Sequence, residues 1–124
     1  MFPELKNHQV WQDLTKILHS LDANTLVREH LELCNYKVCG YWDEQDEYHE
    51  EVLLPHNIEG KLTSNSIGVT DNERWIQLKF ALNALNVDKV TQKIGELILI
   101  YDENLEFINE SWLLDIDEIY KFTR

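Results

Sequence analysis

Glycine and proline are scarce in this chain, at four and two residues among 124. No flexible linker, internal repeat or low-complexity tract divides it, and the sequence reads as a single domain. Cysteine is rarer still. Cys34 and Cys39 stand in a C-x4-C spacing with no second pair, so they cannot complete a structural zinc site. The longest apolar run, Leu97-Ile98-Leu99-Ile100-Tyr101, falls far short of the ~20 residues that span a bilayer. Met1-Phe2-Pro3-Glu4-Leu5-Lys6-Asn7 lacks the basic stretch and apolar stretch of a signal peptide. These absences set the expectation of a cytoplasmic protein with reduced thiols, Cys34 and Cys39 being small structural residues. Basic residues are the last deficit: 11 Lys and Arg face 23 Asp and Glu, for a formal charge of −12. Direct binding to nucleic acid or to an anionic membrane needs a basic face, which this balance excludes. No phosphate loop, dinucleotide fingerprint, nucleophile elbow or H-E-x-x-H motif occurs, so neither catalysis nor a cofactor is expected.

What is present is apolar content and clustered acid. Hydrophobic residues make up 44% of the chain, with four Trp, five Tyr and four Phe. That suffices for a core and separates the chain from disordered acidic tails. The charge is not spread evenly. Residues 41–60 carry seven acids and no base, and residues 96–124 carry eight acids and two bases, while residues 1–40 and 61–95 net −1 and +2. Like charges crowded this way repel unless a cationic partner relieves them.

The first acidic block holds the candidate binding residues Tyr41, Trp42, Asp43, Glu44, Asp46, Glu47, Tyr48, Glu50 and Glu51, and the tail adds Asp115, Asp117 and Glu118. Aromatic anchors beside carboxylates suit a docking surface for a basic protein. In general character this acidic, motif-free chain resembles the small immunity proteins that bacteria pair with nuclease toxins of the colicin and contact-dependent inhibition kinds. The resemblance implies occlusion of a basic toxin's active site or nucleic-acid groove, with no catalysis. Two alternatives share parts of the evidence. A phage or plasmid DNA mimic would use the same charge against a DNA channel. A small metal-dependent enzyme would use His49, His56 and nearby carboxylates, although Asp43-Glu44-Gln45-Asp46-Glu47 lacks the alternation and glycine of a calcium loop. His30 and Cys34, four apart on a helix, form a further candidate pair.

The patterning predicts an α+β fold, with an N-terminal helical pair, an antiparallel sheet and at least one further packed helix. Val10, Trp11, Leu14, Ile17, Leu18 and Leu21 share a stripe that predicts a helix over 7–21. A second helix over 25–34 follows Asn24 as N-cap, and short connections favour an antiparallel pair. Residues 36–42 and 48–54 read as strands around an acidic turn, stopped by Pro55. Residues 56–69 read as loop, with a short strand near 58–63 or 66–69. Thr70-Asp71-Asn72-Glu73 matches a capping box and predicts a helix carrying Trp75, Leu78, Leu82 and Leu85, with a strand as the alternative. A further helical turn is expected over 87–94, ended by Gly95. Strands are expected at 96–101 and 105–108, followed by a helical tail from Ser111 to Phe122 in which a strand through Trp112–Ile116 competes. Trp11, Trp75 and Trp112 are expected in the core.

Overall fold

Two helices come first among the described residues of a computed structural model, which describes residues 9–20, 22–85 and 90–123. Helix α1 spans Val10–Ser20, and the ends of the predicted 7–21 helix lie outside the described residues. Trp11 stands on its first turn and is 55% exposed, which corrects its expected place in the core. Helix α2 spans Ala23–Leu33. Its cap is Asp22, not Asn24: Asp22 Oδ1 accepts from the Thr25 amide at 3.1 Å and Oδ2 from the Thr25 hydroxyl at 2.8 Å. That double contact satisfies an orphan helix donor more fully than Asn24 would. Asn24 is used across the fold instead, its Oδ1 accepting from the Gly60 amide at 3.2 Å.

Strand β1 (Lys37–Trp42) and strand β2 (Tyr48–Leu53) form a two-stranded antiparallel hairpin. A regular strand would bury 38, 40 and 42 on one face. Gly40, at φ +68°, breaks that alternation. Val38 and Tyr41 are therefore buried, and Trp42 is turned out to 63% exposure. The Tyr41 hydroxyl accepts from the Leu114 amide at 2.8 Å and donates to the Leu114 carbonyl at 3.4 Å, pinning the hairpin to the rest of the molecule.

A four-stranded antiparallel sheet follows in the order β3-β4-β5-β6, from Ile58–Val69, Arg74–Leu85, Thr91–Asp102 and Phe107–Leu114. Strand β3 runs through 58–69, covering both places where a short strand is the alternative to a loop, with one register shift between Leu62 and Ser64. Gly60, Ser64, Asn65 and Gly68 weaken it locally, but the ladder to β4 and the packing of α1 and α2 against it hold it extended. The helix expected after Thr70 is strand β4. The same Thr70 that mimics a helix cap closes a hairpin turn, its hydroxyl oxygen accepting from the Glu73 amide at 3.0 Å while its own amide bonds the Glu73 carbonyl at 2.8 Å. The helical turn expected over 87–94 is also replaced: 91–94 and Gly95 belong to β5, and 87–89 lie outside the described residues. Strand β6 extends through Leu114, so helix α3 is confined to Ile116–Thr123 and Trp112 is half-buried on a strand. Trp75 is likewise half-buried.

The fold is thus α+β, with three helices, a two-stranded sheet and a four-stranded sheet among the described residues. One face of the large sheet builds the core. Phe80, Leu82, Ile94, Leu97 and Leu99 from the sheet, Val27 and Leu31 from α2, Val52 from the hairpin and Ile119 from α3 are fully buried.

The β1–β2 and β5–β6 hairpin turns are copies of one design. Asp43 Oδ1 accepts from the Gln45 and Glu47 amides, both at 2.9 Å, and Asp102 Oδ1 from the Asn104 and Glu106 amides at 2.8 and 3.0 Å. Each turn then needs a left-handed residue, supplied by Asp46 at φ +60° and Leu105 at φ +61°. Leucine is poorly suited there, and its side chain is 73% exposed. Leu105→Asn is expected to raise stability by roughly 0.5–1 kcal/mol, because asparagine tolerates this backbone better. Thermal unfolding measures it, and an unchanged or lowered Tm would refute the strain.

Candidate functional site: an acidic cleft

The two acidic blocks of the sequence meet in space. A cleft of about 520 Å³ is lined by Asp43, Glu44, Gln45, Glu47 and His49 from the hairpin, by Lys93, Gly95 and Glu96 from β5, and by Leu113, Leu114, Asp115, Ile116, Asp117 and Tyr120 from the β6–α3 junction. Tyr41, bonded to Leu114, is the pin that brings the hairpin turn beside the start of α3. Its burial removes it from the expected binding surface, and its role is to position that surface.

The acidic side chains divide into two groups. Several are spent within the fold. Asp43 has a side chain only 7% exposed, holds its turn through Oδ1, and pairs through Oδ2 with His49 Nε2 at 2.8 Å. Asp115 caps α3, accepting from the Glu118 amide at 3.2 Å. Glu51 pairs with Lys37 at 3.0 Å and Glu118 with Lys121 at 2.9 Å. Glu96, which the sequence did not single out, bonds Lys93 at 2.8 Å and Lys79 at 3.2 Å, and these ammonium groups hold its carboxyl below the ordinary value. Glu44, Glu47 and Asp117 line the cleft without an ion pair among the described residues. They carry the unneutralised charge of the site. Asp46 and Glu50 are exposed but do not line it. Trp42 and Tyr48 stand side by side at the base of the turn, 63% and 55% exposed, with ring centroids 5.0 Å apart.

The His49 hydrogen bond is the main cause that lowers the Asp43 carboxyl below its ordinary value of 3.8, followed by the turn amides. A lowered folded value means that the contribution is complete above the ordinary carboxylate range. It is lost as the pH falls through the folded value. Below about pH 4 the Gln45 and Glu47 amides should therefore lose hydrogen-exchange protection, and Asp43→Asn, which keeps the turn acceptor without the titration, should abolish that acid limb. Unchanged protection at low pH in the native chain would contradict the assignment.

Asp43, Glu47 and His49 place one donor atom each within 4.8 Å of one another and, among the described residues, form the group that could hold a metal ion. An ion there would have to displace the Asp43–His49 contact, because the other Asp43 oxygen is committed to the turn. His56 does not join this group; it stacks on Tyr36 at 4.1 Å. The His30–Cys34 pairing is also not formed. The Cys34 thiol donates to the Leu31 carbonyl at 3.4 Å, while His30 pairs with Glu110 and packs near Phe107 and Trp112. Cys39, expected to be structural, is exposed.

The acidic runs themselves signalled the hairpin wall and the α3 wall. Lys93, Glu96 and Tyr120 carried no local signal, because only the sheet register and the helix packing bring them to the cleft. No helix among the described residues is long and apolar enough to cross a membrane. No family model, curated protein or solved structure matches this chain.

Proposed function

We propose that this chain is a single-domain cytoplasmic inhibitor that binds and neutralises a basic protein, as an immunity protein does a nuclease toxin. The observation that supports this is the convergence of two acidic blocks, far apart in sequence, on one cleft, with the exposed Trp42–Tyr48 pair next in sequence to its hairpin wall. A nuclease must present cationic groups to hold phosphates. Glu44, Glu47 and Asp117 offer those groups an alternative, and Trp42 and Tyr48 offer rings on which an arginine or an apolar side chain can settle. The chain acts by occupancy, without a cofactor. A DNA mimic would instead need carboxylates spaced like phosphates along an extended face, and the gathered arrangement fits a protruding basic element of a protein better.

The test is biochemical. The chain, purified from its native cells at low salt, should carry a basic nuclease in stoichiometric amount, and that nuclease should be inactive in the complex and active once stripped of it. A complex that retains full nuclease activity overturns the reading.

A further inference from the structure

The four-stranded sheet has two edges, and they are treated differently. The β3 edge has α1 and α2 packed against its strand, and carries Lys61 and two glycines. The β6 edge has no strand beside it among the described residues, and Phe107–Leu114 contains neither lysine nor proline. Exposed edges without such guards pair readily with other chains. Three large apolar residues lie on this strand in the open, Phe107 at 48%, Ile108 at 56% and Leu113 at 47% exposure.

The backbone of β6 shows which groups are available. Asn109, Ser111 and Leu113 stand opposite Ile100, Ile98 and Glu96. The Leu114 amide bonds the Tyr41 hydroxyl at 2.8 Å and the Glu110 amide bonds its neighbour's Asn109 Oδ1 at 2.9 Å, so the even-numbered residues point away from β5. In an antiparallel ladder this alternation leaves the Trp112 amide and the carbonyls of Glu110 and Trp112 facing outward. The Asn109 side chain is a stopper on the remaining donor that an incoming strand can displace.

Charge selects the occupant. From residue 94 to residue 120 the chain has eight carboxylates and no Lys, Arg or His. A second copy pairing β6 with β6 antiparallel about Glu110 would set Glu110 against its counterpart and bring Glu106 near Asp115, which opposes self-association. A cationic segment gains from the same field. The edge also leads into the acidic cleft, where Leu113 and Leu114 form part of the lining.

We infer that the β6 edge over Ile108–Leu113 accepts an extended segment of a cationic partner as a fifth strand, with Lys or Arg joining His30 at the Glu110 carboxylate and an apolar residue beside Leu113. The inference rests on the reading of the chain as a binder of a basic protein. It adds the backbone mode of attachment, in which main-chain hydrogen bonds supply affinity and alternate side chains supply selection.

The probes are two blocked peptides of equal charge, an eight-residue Lys-Val alternation and an eight-residue Lys-Pro alternation that cannot pair as a strand. The isotopically labelled full chain is titrated with each at low salt. The Lys-Val peptide should bind at least about ten-fold tighter and slow exchange of the Glu110 and Trp112 amides by at least about ten-fold. Equal binding of both peptides, with shifts at Glu44 and Glu47 and none at Glu110 or Trp112, overturns strand addition and leaves the cationic-partner reading standing. Binding of neither peptide overturns both. Protection of the Trp112 amide in the free chain, or its protection with rising protein concentration, also overturns the inference and assigns the edge to the chain itself or to a second copy.

Discussion

Reversing Glu44, Glu47 and Asp117 to lysine together is expected to slow association with a basic partner by ten-fold or more at low salt, with little change in fold stability. Among the described residues these are the cleft carboxylates with neither an ion pair nor a capping or turn-holding role, so their charge is available to steer an encounter. Electrostatic steering of this kind changes on-rates by about 10–10³-fold and weakens as salt rises. The triple variant should therefore also lose most of the salt dependence seen in the native chain. The choice of residues matters. Reversing Asp43 would unmake the turn it holds, and reversing Asp115 would uncap α3, so either change would confuse loss of shape with loss of charge. Stopped-flow association at several salt concentrations checks the expectation, with Glu50→Lys, exposed but outside the cleft, as the comparison. An on-rate and salt slope equal to those of the native chain would remove the cleft as the steering surface.

The second large effect is structural. A Cβ on Gly60 would lie 2.3 Å from Val27 Cγ2 and 2.6 Å from its Cβ. Here α2 comes close against β3, and the contact is also held by the Gly60 amide, which donates to Asn24 Oδ1. Val27 is fully buried and cannot swing aside. Gly60→Ala is expected to destabilise the fold by about 2–3 kcal/mol, in the range of core overpacking. Val27→Ala alone should cost a similar amount by leaving a cavity, but the double variant should cost less than the two effects added. Chemical denaturation of the four proteins measures the coupling. Strict additivity would mean that the two residues do not oppose each other.

The sequence patterns read the hairpin β1–β2 and its acidic turn correctly because both depend on neighbours in sequence. Aromatic and β-branched residues flank a run of turn formers, and the turn is built from that run alone. Strand β4 was not legible in the same way. Gln77, Lys79, Ala81 and Ala84 favour helix, and Thr70 with Glu73 imitates a helix start, yet pairing on both sides with β3 and β5 overrides those preferences. The period-2 pattern of Ile76, Leu78, Phe80 and Leu82 was the truer signal. The acidic composition of the site was legible, but not the cleft. Tyr41 reaches Leu114 across 73 positions of sequence, and only that contact tells which carboxylates become neighbours. Nor could charge alone separate Asp43 and Asp115, which support the backbone, from Glu44 and Asp117, which face outward.

The duplicated turn has a consequence for how such a protein can change over generations. Asp43 and Asp102 meet the same backbone demand with the same oxygen, although two of the three residues between the ends differ, Glu-Gln-Asp in one case and Glu-Asn-Leu in the other. One anchoring aspartate and a tolerated left-handed position are what the loop requires, and the positions between are open to drift. For an inhibitor of the kind proposed, the rim of the cleft would thus alter its specificity by substitution without renegotiating the scaffold, which would let a lineage track a diverging target while its core stays put.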